Sequence, residues 1–315
     1  MASSHVPLLS LRDPDSPAFV DALGASFRRF GFAMIGDHGI DPALIAQGWA
    51  LSRAFFALPD DVKQRYIVQG GAGQRGYTPF ATEIAKGAQA HDLKEFWHIG
   101  RDLDPASPLA SSMPPNIWPR ECEGFRTCFT SLFAAFDRAG ANILRAIARH
   151  LGLAPDWFED PIRNGNSILR LLHYPPLDGA SNGMRAGAHE DINLITLLLG
   201  AEEAGLQLRE RNGDWLAIDP PLGALVVNIG DMLQRLTNHV LPSTTHRVVN
   251  PPAERSGISR YSMPFFLHLR PDFVIEPLAQ CVDTAHPPRD PAIRAQDYLH
   301  ERLREIGLVA HEGAA

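Results

Sequence analysis

Gly187-Ala188-His189-Glu190-Asp191 and the distant His246 are the residues of this chain best suited to chemistry. Extended backbone sends alternate side chains to one face, so His189 and Asp191 can reach a common point, whereas on a helix they would diverge. Two imidazoles and one carboxylate make a metal-binding triad that leaves other coordination positions open. The letters His189-Glu190 invite comparison with a zinc-binding HExxH helix, but Asn193 stands where the second histidine would be. Ligand type alone leaves Fe(II) and a hydrolytic zinc both open.

A second group follows His246. His246-Arg247-Val248-Val249 opens a short strand segment, and Arg260-Tyr261-Ser262 sets a guanidinium and a hydroxyl two residues apart, on one strand face. Buried, these groups need an anionic partner to offset their desolvation. A dicarboxylate meets that need: one end and a neighbouring oxo group chelate the metal, Arg260 grips the far carboxylate bidentately, and Ser262 adds a hydrogen bond. On an octahedral iron this leaves one position for O2. His239 follows an apparent turn, Thr237-Asn238, and is the weaker candidate for third ligand. Asn228 and Asp231 are expected to organise a turn through side-chain to backbone hydrogen bonds. Trp118 and Trp215 read as packing residues.

The elements that must position these groups fall into two textures. Residues 1–163 are mainly helical. After an edge strand near Val6–Leu11, Ser16-Pro17 and Asp41-Pro42 each supply an N-cap and a first-turn proline, Gly31 can end the first helix, and Phe32–Ile35 follows as a strand. The stripe Phe125, Phe129, Leu132, Phe136, Ile143, Ile147 and Leu151 predicts a long amphipathic helix over 123–151 that buttresses a sheet. Gly70–Gly76 lacks the GxxxxGK[ST] pattern of a phosphate loop and reads as a connection.

From 164 to 280 short apolar segments alternate with turns: 168–173, 192–199, 205–209, 214–218, 224–229, 244–249 and 260–269. Asn212-Gly213 marks a tight hairpin in which both residues accept positive φ. This texture predicts a mainly β protein with flanking helices and a sandwich or jelly-roll core. Residues 281–315 supply a last helix, with Tyr298, Leu299, Leu303 and Ile306 on one face. The 315 residues are read as a single unit.

Composition excludes several classes. A net charge of -7 with no basic run argues against nucleic acid as partner. The longest apolar run, Ile192–Leu199, is interrupted by Asn193 and Thr196 and is far short of a membrane span. No signal-like segment opens the chain, and Cys122, Cys128 and Cys281 form no CxxC or even framework, so a cytoplasmic protein with reduced thiols is expected. Glu202-Glu203 reads as a solvated loop.

His189-Glu-Asp-Ile-Asn-Leu-Ile-Thr196, Gly205-Leu-Gln-Leu208, Asn228-Ile-Gly-Asp231, His246-Arg-Val248 and Arg260-Tyr-Ser262 closely resemble, in order, segments of the isopenicillin N synthase-like family of iron(II)/2-oxoglutarate-dependent oxygenases. Gly31–Ile40, Arg75-Gly-Tyr77, Asp92-Leu-Lys-Glu95 and Pro115-Asn-Ile-Trp-Pro119 extend the likeness over the N-terminal half. The resemblance implies a double-stranded β-helix, the cupin-like jelly roll. It also implies His189, Asp191 and His246 as Fe(II) ligands and Arg260 and Ser262 as the 2-oxoglutarate clamp. Tyr174, in Leu172-His-Tyr-Pro175, matches the tyrosine whose hydroxyl helps hold the cosubstrate. Leu172 departs from the family, many of whose members carry Asn there, so one cosubstrate contact is absent or supplied elsewhere.

The resemblance implies a dioxygenase that consumes O2 and 2-oxoglutarate, releases succinate and CO2, and most commonly hydroxylates a small molecule. The rival is an oxidase like isopenicillin N synthase itself, which uses no 2-oxoglutarate and whose arginine and serine receive the substrate's carboxylate. Against it, the tail after Leu308 has no glutamine matching the synthase's terminal segment. A jelly-roll binding protein without turnover is a more remote reading, and oligomeric state is not legible. Tyr77, Phe80, Glu83, Trp97 and His98 lie, by resemblance, near the barrel mouth, and this mixture suits a small organic substrate bearing an amine or a carboxylate.

Overall fold

Caps and glycines set the helical layer. In the computed structural model, which describes residues 5–70, 73–83, 91–176, 184–200 and 205–305, Ser16 accepts a hydrogen bond from the Phe19 N–H and opens α1 (Pro17–Phe30). Gly31 closes the helix at φ +67°, its N–H donating to the Phe27 carbonyl. A Cβ there would lie 2.2 Å from Thr244 Oγ1, so both backbone conformation and close approach require glycine. Asp41 caps α2 (Pro42–Phe56), followed by α3 (Asp60–Gln64), α4 (Phe125–His150) and α5 (Glu159–Ile162).

The N-terminal half also supplies β1 (Leu8–Ser10), β2 (Phe32–Gly36), β3 (Gly76–Thr78) and β4 (Glu95–Gly100). The C-terminal half continues with β5 (Ile168–Tyr174), β6 (Ala186–His189), β7 (Ile195–Leu199), β8 (Leu206–Arg209), β9 (Trp215–Ala217), β10 (Leu225–Ile229), α6 (Asp231–Leu236), β11 (His246–Val248) and β12 (Arg260–Leu267). The chain then adds β13 (Val274–Ile275), β14 (Ile293–Arg294) and α7 (Ala295–Glu305).

Two sheets make the jelly roll. The major sheet has the order β1-β2-β10-β7-β12-β5-β4-β3, the minor sheet β6-β11-β8-β9, and β13 pairs separately with β14. The expected short strands are therefore present. The additional β3 and β4 lack the alternating texture: β4 is buried at all six positions and reads as a continuous apolar run with polar insertions. The hairpin at Asn212-Gly213 differs from the expectation. Only Gly213 has positive φ, while Asn212 bonds through its side chain to Asp214, spanning a longer loop between β8 and β9.

Strand alternation divides the molecule into two compartments. On the outer face of the major sheet, Leu197, Val227, Met263, Phe265 and Leu267 join Phe129, Leu132, Phe136 and Ile143 of α4 in the largest core. Gly140 lets α4 approach closely, since a Cβ there would meet Leu267 Cδ1 at 2.4 Å. Between the sheets, Phe32, Val226, Leu206, Leu208 and Val248 form a smaller core. The even-numbered residues of β12 and β5, including Arg260, Ser262, Tyr174 and Arg170, share the register of the inner face. Tyr77 and Trp97 belong to the helix-side core, so the expectation that they line the barrel mouth is corrected: β3 and β4 turn them outward. Ile306, Leu308 and Glu202-Glu203 lie outside the described residues.

Glu95 ties the outer layer together. Its carboxylate accepts from Lys63 at 2.9 Å, from His173 Nδ1 at 2.7 Å and from the Tyr77 hydroxyl, joining α3, β3, β4 and β5. Burial pushes its pKa up, but His173, Tyr77 and Lys63 prevail and hold it below the ordinary carboxylate value. Because the folded value lies below the unfolded one, this contribution is complete above the unfolded pKa and is lost as pH falls through the folded value. Glu95→Gln is expected to lower the urea midpoint at pH 7 and to flatten its decline into acid; an acid limb as steep as wild type would show that Glu95 is not the group responsible.

Candidate metal centre

Antiparallel pairing brings the two histidines together. His246 of β11 lies directly opposite His189 of β6, with ring centroids 4.4 Å apart. Asp191 lies just beyond the end of β6, in the connection to β7, so the extended reach expected from the sequence is completed by a turn. That turn is pinned by the Asp231 N–H donating to the Asp191 carbonyl at 2.7 Å and the Gly230 N–H to Leu194 at 2.8 Å. His189 Nε2 lies 3.9 Å from Asp191 Oδ1 and His246 Nε2 3.9 Å from Asp191 Oδ2; the three ligand atoms lie within 4.8 Å of one another.

Neighbouring groups prepare each member for a cation. His189 Nδ1 donates to the Gly187 carbonyl at 2.7 Å and His246 Nδ1 to the Thr244 carbonyl at 3.1 Å, which leaves both Nε2 atoms as lone-pair donors toward the shared space. Burial, reinforced by His246, lowers the His189 pKa to about 4, so its imidazole is neutral near pH 7. Burial works to raise the Asp191 pKa, but the two histidines and two hydrogen bonds keep it below its ordinary value. Those bonds come from Thr196 Oγ1 at 2.5 Å and Asn228 Nδ2 at 2.8 Å, both to Oδ2. Two imidazole Nε2 atoms and an oriented carboxylate are the donor set a divalent first-row metal takes.

Asn228 and Asp231 therefore act differently from the turn-forming role expected of them. Asn228 projects from the inner face of β10 onto the carboxylate, and Asp231 accepts from the Tyr298 hydroxyl at 3.2 Å. The period-two pattern of β10 could have placed Asn228 beside Thr196, since the strands pair Asn228 with Thr196; its carboxylate partner was not readable. His239 is absent from the cluster and instead bonds Asp290 at 2.7 Å. Trp118 and Trp215 pack against Phe125 and Arg247.

Arg260, Ser262 and Tyr174 are also brought together. Arg260 pairs across β12 and β5 with Tyr174, its guanidinium carbon 5.0 Å from the tyrosine ring centroid, and Ser262 pairs with Leu172. All three are at most 3% exposed. Leu172 packs with Phe96 and Tyr174 in a small apolar patch, so this position offers no polar contact. Sequence reasoning missed Arg185, fully buried just before β6, with its guanidinium 6.0 Å from the same tyrosine ring.

A cavity of about 370 Å³ opens beside His189 and Asp191. Glu83 and His98 line it as expected, whereas Phe80 is exposed. Arg170 grips Glu83 through two bonds of 3.1 and 3.2 Å and donates Nε–H to His98 at 2.5 Å. Lys94 bridges Glu83 and Asp92, each at 2.8 Å, and Asp92 accepts the Gly187 N–H at 2.9 Å, which links this network to the peptide that orients His189. Burial opposes both charges, yet Arg170 and Lys94 hold Glu83 well below the carboxylate range, and Glu83 and Asp92 hold Lys94 above the ordinary amine value.

The chain is similar to known proteins in sequence and fold. Residues 165–269 match the 2OG-Fe(II) oxygenase superfamily, and residues 6–121 match the N-terminal region described as "non-haem dioxygenase in morphine synthesis". A 2-oxoglutarate-Fe(II) type oxidoreductase of Aspergillus fumigatus is 33% identical, over 87% of this chain and 83% of that protein. Among solved structures, a 2OG-Fe(II) oxygenase family protein of Caulobacter crescentus is 51% identical with a TM-score of 0.89, covering 96% of this chain and 99% of that one. A full-length Neurospora crassa protein solved in complex with alpha-KG and thymine superposes with a TM-score of 0.83 at 28% identity, over 95% and 96% of the two chains. The readings without turnover or without 2-oxoglutarate are set aside by these relatives. The chain belongs to the 2OG-Fe(II) oxygenase superfamily and is a 2-oxoglutarate-dependent dioxygenase, using Fe(II), 2-oxoglutarate and O2.

Proposed function

We propose that His189, Asp191 and His246 hold the iron, that Arg260, Ser262 and Tyr174 hold the far carboxylate of 2-oxoglutarate, and that the enzyme hydroxylates a small organic molecule in the adjacent cavity. The observation that carries this reading is the convergence of two histidine Nε2 atoms and one carboxylate on a single space beside that cavity. When bound there, Fe(II) supplies the oxidation of an unactivated C–H bond by O2, with 2-oxoglutarate converted to succinate and CO2.

The protein's part is orientation and exclusion of water. The Gly187 and Thr244 carbonyls fix the histidine tautomers, while Thr196 and Asn228 occupy Asp191 Oδ2. Arg260 is held against the Tyr174 face, where a buried guanidinium suits bidentate binding of a carboxylate. Leu172 and Phe96 keep that end apolar, which strengthens the charge interaction by lowering the local dielectric.

We further read the chain as one functional unit, with a helical region over 1–163, the jelly roll over 164–280 and a C-terminal helix over 281–315. A cytoplasmic location is supported by the three free, buried cysteines, and the net charge of -7 favours a partner other than nucleic acid. No described helix is long and apolar enough to cross a membrane.

Calorimetric titration of purified variants tests the assignment. His246→Ala should lose Fe(II) binding, whereas Arg260→Ala should keep Fe(II) and bind 2-oxoglutarate at least about thirtyfold more weakly, the loss for truncating one partner of a buried charge pair. Wild-type cosubstrate affinity in Arg260→Ala would remove the proposed clamp. Asn228→Leu should retain the fold by circular dichroism but lose roughly 10- to 100-fold in metal affinity, because Oδ2 of Asp191 loses one of its two donors; unchanged affinity would restrict Asn228 to packing.

A further inference from the structure

Starting from the iron ligands and clamp proposed above, on which this assignment rests, we propose that Lys94 is a further cosubstrate-contacting residue. Its third ammonium N–H donates to the metal-chelating carboxylate of 2-oxoglutarate and supplies the polar contact that Leu172 lacks.

Strand register places Lys94 in the row of the clamp itself. Arg260 of β12 pairs with Tyr174 of β5, and Glu95, the first residue of β4, pairs with His173. Continuing that antiparallel ladder by one residue sets Lys94 beside Tyr174, so an ammonium, a phenol and a guanidinium follow one another across neighbouring segments at about 4.8 Å per step. Alternation agrees: Glu95 and Trp97 face the helical layer, whereas Phe96 and His98 face inward, and Lys94 shares their parity. The adjoining row is Phe96, Leu172 and Ser262. Phe96 and Leu172 are apolar, so the donors of these two rows are Lys94, Tyr174, Arg260 and Ser262.

Lys94 also faces the metal centre. It lines the cavity together with His189 and Asp191, although its side chain is only 8% exposed. Behind burial and His246, its charge helps to lower the His189 pKa, and the same ammonium interacts electrostatically with Tyr174. It therefore stands between an iron ligand and the clamp, the interval that 2-oxoglutarate must span to reach both. Two of its N–H groups are committed, to Glu83 and Asp92 at 2.8 Å each, and these carboxylates keep it charged against the cost of burial. An ammonium has three such donors, and no further acceptor meets this one among the described residues. Because Glu83 and Asp92 fix the position of Nζ, the remaining donor is preorganised for an incoming carboxylate.

The test is calorimetric, on full-length protein loaded with Ni(II), which holds 2-oxoglutarate without turnover. Lys94→Met leaves each former partner a bond, Glu83 to Arg170 and Asp92 to the Gly187 N–H, so the fold should persist by circular dichroism. 2-Oxoglutarate should bind this variant at least about tenfold more weakly than wild type, the loss of one charge-assisted hydrogen bond, while Ni(II) affinity without cosubstrate changes less than about threefold. Should Lys94→Met not fold, Lys94→Gln is read in the same way, with a loss of at least about threefold because an amide donor remains. Oxalate, which carries chelating carboxylates but no far one, should bind more weakly to Lys94→Met and with wild-type affinity to Arg260→Ala. A smaller loss of 2-oxoglutarate affinity, or oxalate that binds wild type no more tightly than Lys94→Met, overturns the proposal. So does a fall in Ni(II) affinity as large as the fall in cosubstrate affinity, which would assign Lys94 to orienting His189 through Asp92 and Gly187. Failure of 2-oxoglutarate to bind the wild-type Ni(II) protein would contradict the oxygenase site itself and this proposal with it, whereas wild-type binding that Lys94→Met leaves unchanged contradicts the proposal alone.

Discussion

The pairing of His246 with His189 across β11 and β6 is the constraint on which the site depends. It is a backbone register, so the two imidazoles face each other before any metal is considered. Asp191 then needs only a short turn to join them, and that turn is pinned by the N–H groups of Gly230 and Asp231 at the start of α6. A register slip of one residue on either strand would send a histidine to the opposite face and dissolve the triad.

Alternation along the major sheet extends the same logic. Strands β5 and β12 present leucine and phenylalanine outward to α4, and arginine, serine and tyrosine inward. The outer face supplies the apolar burial that stabilises the sheet, which lets the inner face carry groups costly to bury. Those groups are not isolated: Glu83, Arg170, Lys94 and Asp92 compensate one another, and through Gly187 the network reaches the backbone that orients His189. Substrate wall and metal ligand are thereby held by one connected set of hydrogen bonds.

Much of this was legible in the sequence because it rests on local rules. Ser16-Pro17 and Asp41-Pro42 announced two helices, the phenylalanine stripe announced α4, and the ordered motifs around His189, His246 and Arg260 announced the site. What escaped depends on side chains meeting across strands. Asn228 looked like a turn residue because its partner, Asp191, is remote in sequence and meets it only through the β10–β7 pairing. Trp97 and His98 look equivalent in sequence, but the pleat of β4 turns them to opposite faces, and Tyr77 lies across from Trp97 on β3. Arg185 carried no motif that distinguished a buried site cation from an ordinary surface charge, and Asp92, although it opens the matched segment Asp92-Leu-Lys-Glu95, gave no sign of its bond to the Gly187 N–H.

The central claim is that one space beside His189, Asp191 and His246 accepts Fe(II) and 2-oxoglutarate together. An anaerobic titration of the Fe(II)-loaded protein with 2-oxoglutarate tests it most directly, followed by visible absorption. Saturable growth of the metal-to-ligand charge-transfer band of a bidentate 2-oxo acid, at one equivalent per iron, is the predicted result. Iron that stays bound while no such band develops would contradict the account.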